Sequence, residues 1–422
     1  MLQSKDARLK AGATQNENML SYTDARLEII EVAGTVKRPV LRETIEIEQA
    51  FGRVLAEPVL ADRDYPPFDR STRDGFAVRS ADVSSPGATL DCIGELRAGG
   101  SYKGALGPEQ CIEIMTGAAV PQCADAVVMI EHTKREGRTI TLDREAKIGD
   151  HIVPHGTEAR TGTLLIAAQT RIGYVEMALA AQAGATRLEV FASPRVAILS
   201  TGDEVVDART QPGPLQVRNS NGISLEILAR MAGAQPVQLG NVPDDKAALR
   251  AVIERGLEAD ILVLSGGVSM GKYDLVEQVL ADLGAEFHFT GVAIRPGRPA
   301  VFATCRNKLV FGLPGNPVST MVTFELFVLP AIDLLTGAVP RPVPIFRAKL
   351  ATPVHEKGPM THFLPARIEW EGREARVEQL RWQGSGDIVA LASANGFLVV
   401  SPERPEIAAG EWVDVLPRRG AI

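Results

Sequence analysis

The sequence predicts an α/β multidomain protein. It combines a doubly wound α/β domain, an elongated β-rich domain, a small helical and mixed domain built from two chain segments, and a C-terminal β-barrel-like domain. At 422 residues the chain is too long for one ordinary core, so several domains are expected. From Pro194 to Leu335, apolar runs of strand length alternate with helical periodicity, the mark of a doubly wound sheet. On either side of that stretch short β-rich runs are punctuated by Gly and Pro.

Residues 1–20 are polar and aperiodic, and are expected to form a flexible arm. Ser21-Tyr22-Thr23-Asp24 is a capping pattern that starts a helix with Leu27, Ile30 and Ala33 on one face, ended by Pro39. Small-residue periodicity returns through Tyr174, Met177, Ala178 and Ala181, so residues 21–43 and 151–193 are read as the discontinuous helical and mixed domain. Between them, residues 44–150 give the β-rich domain, with strand runs at 44–47, 76–78, 111–115, 126–130 and 139–142. Inside it, a loop stiffened by Pro66 and Pro67 carries Asp74 ahead of Gly75, and Thr116 sits at a strand end. Alone, Asp74 is a turn residue and Thr116 a capping hydroxyl; only their company makes them candidates.

Residues 194–340 give the α/β domain, with strands at 195–200, 236–240, 261–264 and 309–312, and helices at 222–231, 246–257, 275–283 and 318–335. In such sheets ligands bind beyond the carboxyl ends of the strands. The loops there are Ser200-Thr201-Gly202-Asp203-Glu204, Pro243-Asp244-Asp245, Leu264 to Asp274, and Gly312-Leu313-Pro314-Gly315-Asn316-Pro317. Ser265, Gly266, Gly267, Ser269 and Gly271 read as an anion cradle, since glycine lets a phosphate approach backbone N–H groups. A tight connection would need the same glycines. Pro314, Gly315, Asn316 and Pro317 read as a rigid helix entrance with exposed amides, and Arg295 and Arg298 as cationic partners for an oxyanion. Asp203, Glu204, Asp244, Asp245 and Asp274 would repel a phosphate without a divalent cation between them, and magnesium takes a few carboxylates plus phosphate oxygens and water. Each acid alone reads first as a helix cap, and only the constellation favours metal and phosphate. After Pro340, residues 341–422 turn β-rich again, with runs at 367–370, 375–379, 397–400 and 412–416.

The net charge of −7, without a Lys/Arg block, argues against nucleic-acid binding. Cys92, Cys111, Cys123 and Cys305 lack C-x-x-C spacing, which argues against structural zinc. The sequence shows no signal-peptide pattern, and no apolar run is read as long enough to span a bilayer, so a cytoplasmic protein without membrane contact is expected.

Six motifs in order then resemble the MoeA family of molybdopterin molybdenumtransferases, related to the E domain of gephyrin. They are Ser71-Thr72-Arg73-Asp74-Gly75-Phe76, Met115-Thr116-Gly117-Ala118, Ser200-Thr201-Gly202-Asp203-Glu204, Ser265-Gly266-Gly267-Val268-Ser269-Met270-Gly271, Arg295-Pro296-Gly297-Arg298-Pro299 and Gly312-Leu313-Pro314-Gly315-Asn316-Pro317. The resemblance implies that the α/β domain binds molybdopterin. It implies a Mg2+-dependent insertase that converts adenylylated molybdopterin and molybdate into molybdenum cofactor and AMP. It also implies an elongated homodimer, a molybdopterin adenylyltransferase as supplier, and a molybdoenzyme or cofactor carrier as recipient. By the same resemblance Asp74, Thr116, Glu204, Asp244 and Asp274 are catalytic, the last three hold metal, and Arg367 and Ser385 reach the site from the C-terminal domain.

The chain departs from the family pattern at Val153 and Pro154, where arginines are usual, at Glu158, where aspartate is usual, at Gly291, a usually basic position, and at Arg73 for methionine. Arg295 stands where lysine is usual. Two alternatives therefore stay open: a paralogue that binds cofactor or acts as a scaffold, and a pterin adenylyltransferase.

Overall fold

The computed structural model describes residues 19–36, 41–267 and 275–420. The chain divides into two compact units, one comprising residues 1–43, 52–54 and 190–422, the other 44–51 and 55–189. The α/β multidomain class is the one the sequence predicts.

The second unit is built on a six-stranded mixed sheet in the order Ala126–Met129, Gly75–Val78, Gln110–Ile114, Thr89–Leu96, Thr139–Leu142, Thr133–Glu136. Both faces are buried: Phe76, Val78 and Val128 point into one apolar cluster and Ala77, Ile112 and Val127 into another. Thr89–Leu96 was not among the expected runs, because Asp91, Gly94 and Glu95 interrupt its apolar alternation, yet Leu90, Cys92 and Leu96 are buried. Gly75 has to be glycine, since a Cβ there would lie 2.0 Å from the Val128 carbonyl oxygen of the neighbouring strand. The helix Tyr22–Thr35 buries its face in the first unit, whereas the helix Tyr174–Gln182 belongs to the second; the strands Arg42–Glu46 and Arg187–Phe191 pair, joining the two chain segments expected to share a domain.

In the first unit the α/β sheet runs Gln235–Val242, Arg195–Thr201, Ile261–Ser265, Lys308–Leu313, Val301–Cys305, Glu286–Phe289. The first four are parallel and the last two form an antiparallel edge that sequence periodicity did not reveal. Alternate residues enter opposite layers: Val196, Ile198 and Val263 on one face, Ala197, Leu199 and Leu264 on the other. A sheet buried on both sides reads as continuous apolar runs, which is why these strands were visible in the sequence.

The helix Pro317–Leu335 contains a π turn at Phe324–Val328. Pro330 has no N–H for the carbonyl of Leu326, four residues earlier, and a π turn is the usual accommodation. Arg26 Nη1 donates to that carbonyl at 3.1 Å. This corrects the expected face of the first helix: Ala25, Arg26, Ile29 and Ala33 are buried, while Leu27 is 63 % exposed. Periodicity chose the wrong stripe because the arginine, not a leucine, is the residue the packed helix requires. Pro317–Leu335, 19 residues at a mean hydropathy of 1.7, is long and apolar enough to cross a membrane, but 78 % of it is buried inside the protein, as in a core helix.

The C-terminal strands Phe346–Leu350, Thr361–Glu371, Glu374–Gln379, Gly396–Val400 and Trp412–Pro417 close on themselves through pairing of the second with the fourth, forming a five-stranded barrel. The two-residue strand Ile294–Arg295 of the α/β domain adds in parallel to Thr361–Glu371.

Candidate functional site

The carboxyl ends of three parallel strands open into a cavity of about 1030 Å³. Ser200 and Thr201 end one strand, Ser265 ends the next, and Pro314 follows the third. The cavity sits where the strand order reverses, with Arg195–Thr201 between Gln235–Val242 and Ile261–Ser265, the usual place for a ligand in an open α/β sheet. Of the residues expected at the site, Glu204, Asp244, Ser265, Gly266, Gly267, Pro314, Gly315, Asn316 and Pro317 line it. Ser269 and Asp274 lie outside the described residues.

Gly266 and Gly267 have φ of +92° and +64°, a backbone that favours glycine, and Cβ atoms on them would fall 2.7 Å from Thr201 O and Thr201 Oγ1 respectively. The loop therefore lies directly over Thr201. The amide cradle is nonetheless less open than the sequence predicts. Gly266 N–H donates to Leu313 O at 3.1 Å, and Val318 N–H, the first amide of the Pro317 helix entrance, donates to Ser385 O at 3.0 Å. Ser385 comes from the C-terminal domain and also receives Asn316 Nδ2 on its hydroxyl at 2.8 Å, and its neighbour Gly386 lines the cavity.

Glu204 and Asp244 form an acidic corner with Asp203, whose Oδ1 accepts the Asp244 N–H at 3.0 Å. Partial burial, then the charges of Asp203 and Glu204, push the Asp244 carboxyl above its ordinary value. Among the described residues no group of three His, Cys, Asp or Glu side chains is disposed to hold a metal ion; of the three acids expected to do so, Glu204 and Asp244 line the cavity and Asp274 lies outside the described residues.

The two arginines next to this site are placed differently from the expectation. Arg295 is exposed on its two-residue strand beside His362 and does not line the cavity. Arg298 has a buried Nε without a hydrogen-bond partner among the described residues, and its neighbour Pro299 lines the cavity. Arg367 is exposed, donates to Ser393 O at 2.9 Å, and also lies off the lining.

Sequence reasoning missed Arg218, Asn219 and Asn221. Arg218 is the one cation among the described lining residues, held by Thr210 O and Gln211 Oε1 at 3.2 Å each. Asn219 caps the helix Ser220–Ala232, accepting Gly222 N–H at 2.8 Å and Ser200 Oγ–H at 3.1 Å. The polar run Asn219-Ser220-Asn221 at a helix start was the available signal.

In the second unit Asp74 and Thr116 do meet. Asp74 Oδ1 accepts the Thr116 backbone N–H at 2.6 Å and its hydroxyl at 2.8 Å. These bonds, the backbone one first, hold the exposed Asp74 carboxyl below its ordinary value. At the positions that depart from the family pattern, Glu158 pairs with Arg70 at 2.8 Å, and a Cβ on Gly291 would meet only ordinary contacts at 3.6 Å, so nothing in its surroundings requires glycine.

Comparison with known proteins finds matches over most of the chain, between residues 20 and 417. The MoeA N-terminal region (domain I and II) matches residues 20–184, a probable molybdopterin binding domain 197–334, and the MoeA C-terminal region (domain IV) 347–417. The chain is 36 % identical to a molybdopterin molybdenumtransferase of Nostoc sp. over 386 residues, 89 % of this chain and 88 % of that protein. It is 34 % identical to the protein of that name in Bacillus subtilis over 89 % of both chains. A crystal structure titled molybdopterin biosynthesis MoeA protein, from Pyrococcus horikoshii, superposes with a TM-score of 0.79 at 27 % identity, over 95 % of this chain and 100 % of that one.

Proposed function

The chain belongs to the MoeA family of molybdopterin molybdenumtransferases, and from that premise we propose that it acts in molybdenum cofactor biosynthesis as an insertase, taking molybdate and adenylylated molybdopterin and releasing molybdenum cofactor and AMP. The observation that carries the proposal is the cavity: about 1030 Å³ at the strand ends, walled by two glycine-bearing loops, two carboxylates and a guanidinium, a fit for an extended phosphorylated ligand.

Magnesium suits the residues present. Burial first, and then the neighbouring charges of Asp203 and Glu204, raise the Asp244 carboxyl; a divalent cation would offset the charge part, and magnesium needs only one or two carboxylates beside phosphate oxygens and water. Glu204 and Asp244 would hold it, with Asp274 as the third acid. When bound, it would withdraw charge from the phosphoanhydride as AMP leaves. Arg218 and Arg298 would offer guanidinium donors to phosphate and molybdate oxygens and the glycine loops would take the pterin phosphate, while Arg295, Arg367 and Ser385, nominated by the family resemblance, would have to reach the ligand from outside the lining. Asp74, kept ionised by Thr116, supplies a fixed carboxylate that can orient or accept a proton. A homodimer in which Asp74 of one subunit serves the cavity of the other, a partner adenylyltransferase, a downstream molybdoenzyme or carrier, and a cytoplasmic setting belong to the same proposal.

The test is incubation of the purified protein with Mg2+, adenylylated molybdopterin and molybdate, following AMP release and reconstitution of a cofactor-free molybdoenzyme. AMP and active cofactor should appear together and both should vanish in Asp74→Ala. No cofactor from the wild-type protein overturns the proposal. Tight binding without turnover would instead support the scaffold reading that the uncharged Val153, Pro154 and Gly291 favour, and ATP consumption with molybdopterin alone would support an adenylyltransferase.

A further inference from the structure

We infer that Asn221 is a positioning residue of this cavity, tying together the two glycine walls between which the ligand would bind. Its Nδ2 donates to Ser265 Oγ at 2.8 Å and to Gly315 O at 2.7 Å. Ser265 ends the strand leading into Gly266 and Gly267, and Gly315 follows the strand Lys308–Leu313. One amide nitrogen therefore bridges the two loops. The orientation of the amide is fixed by chemistry: Gly315 O can only accept, so a flipped side chain would set two carbonyl oxygens against each other.

The neighbouring residues extend the tie. Asn219, two positions earlier, receives Ser200 Oγ–H, so the start of the helix Ser220–Ala232 is linked by side chains to all three strand ends that bound the cavity. The walls already touch, since a Cβ on Gly315 would lie 3.4 Å from Gly266 Cα. The Gly266 N–H bond to Leu313 O and the pairing of Ser265 with Leu313 hold the strand ends together, and Asn221 extends that hold to Gly315 beyond the last pair.

Asn221 is only 9 % exposed, and its Oδ1 is buried with no hydrogen-bond partner among the described residues. An unpaired buried acceptor is unfavourable, and an apolar side chain would avoid it. The amide is explained by its two donated bonds. Nothing in the arrangement requires Asn221 to touch the ligand; it acts through Ser265 and Gly315.

The kinetic part of this inference rests on the insertase reading, and the exchange part does not. In Asn221→Ala, hydrogen exchange in peptides spanning residues 264–267 and 313–318 should quicken about tenfold, and the KM for adenylylated molybdopterin should rise roughly tenfold with a smaller change in kcat. Should that variant fold poorly, Asn221→Asp supplies the decisive signature. As a carboxylate it donates nothing to Gly315 O. As pH falls through its pKa, the neutral acid regains an O–H donor and one of the two bonds. The ratio of variant to wild type in exchange and in KM should therefore approach one on acidification. Glu204, Asp244 and Arg218, the charged groups lining the cavity, are present in both proteins and cancel in that ratio. Exchange unchanged in Asn221→Ala, or an Asp variant whose ratio does not move with pH, overturns the inference. A wild-type protein that makes no cofactor overturns the insertase reading alone, because exchange still reads the tie.

Discussion

Thr116 gives both its backbone N–H and its hydroxyl to a single carboxylate oxygen of Asp74, at 2.6 and 2.8 Å. Both bonds favour the ionised form, so Asp74 stays charged to lower pH than an ordinary aspartate. We expect Thr116→Val, which keeps the backbone bond and removes the hydroxyl, to move the Asp74 titration part of the way back up, as followed by carboxyl NMR. Because the folded pKa is depressed, any stability from these bonds is present above the unfolded pKa and lost as pH falls through the folded one. A titration unchanged in the variant would show that the backbone bond alone sets it.

Asp244 has the opposite sign. Its folded pKa is raised, so the folded protein binds more protons than the unfolded chain between the ordinary aspartate value and the raised one, and stability declines as pH rises across that window. Asp244→Asn or Glu204→Gln should therefore raise Tm in magnesium-free neutral buffer, by on the order of 1 °C for so exposed a group, while reducing the further rise that Mg2+ produces in wild type. A lower Tm in both variants would contradict the charge-repulsion account of this corner.

The two walls of the cavity should respond unequally to a methyl group. Gly267→Ala forces a left-handed backbone on alanine and drives its Cβ to 2.7 Å from Thr201 Oγ1 and Val276 Cγ2, a cost of about 2 kcal/mol or more together with a distorted cavity. Gly315→Ala meets Gly266 Cα at 3.4 Å and has no such backbone penalty, so its loss should be under about 1 kcal/mol. Chemical denaturation of the two variants tests this order, and equal losses would refute it.

Arg218 offers a test by charge. Arg218→Gln should weaken AMP binding about tenfold at low ionic strength, with the difference shrinking as salt is added. Unaltered affinity by calorimetry would remove Arg218 from the anion contacts.

Removal of Arg26 leaves the Leu326 carbonyl without its guanidinium donor and breaks a second bond to the Arg341 carbonyl. Arg26→Met keeps most of the buried stem, so its cost isolates the lost bonds, about 1–3 kcal/mol in a denaturant titration. A neutral result would mean that water replaces the guanidinium.

The parallel strands and the loops at their ends are legible because a sheet buried on both faces writes itself as apolar runs, and three of the runs lead directly into Gly202, Gly266 and Pro314. The antiparallel edge at Glu286–Phe289 and Val301–Cys305 was not, since four- and five-residue segments with mixed burial carry little periodicity. Asp74 and Thr116, 42 positions apart, could be nominated from sequence only by motif, and their bond is a product of strand pairing. Asn221 escaped notice for a different reason: its role depends on Ser265 and Gly315, 44 and 94 positions further along the chain, and an asparagine in the first turn of a helix looks like an ordinary cap. The openness of the amides was overestimated because the sequence does not show that Leu313 O and Ser385 O already accept two of them.

The bond between Arg26 and Leu326 also has a temporal side. The two residues lie 300 positions apart, so a growing chain exposes its first helix, arginine included, long before the segment that receives it has been synthesised. That late segment, 19 residues of mean hydropathy 1.7, has the profile of a membrane-crossing stretch until it is covered. In the folded protein the helix Tyr22–Thr35 packs against that segment, so one end of the sequence covers the most lipid-like stretch of the other.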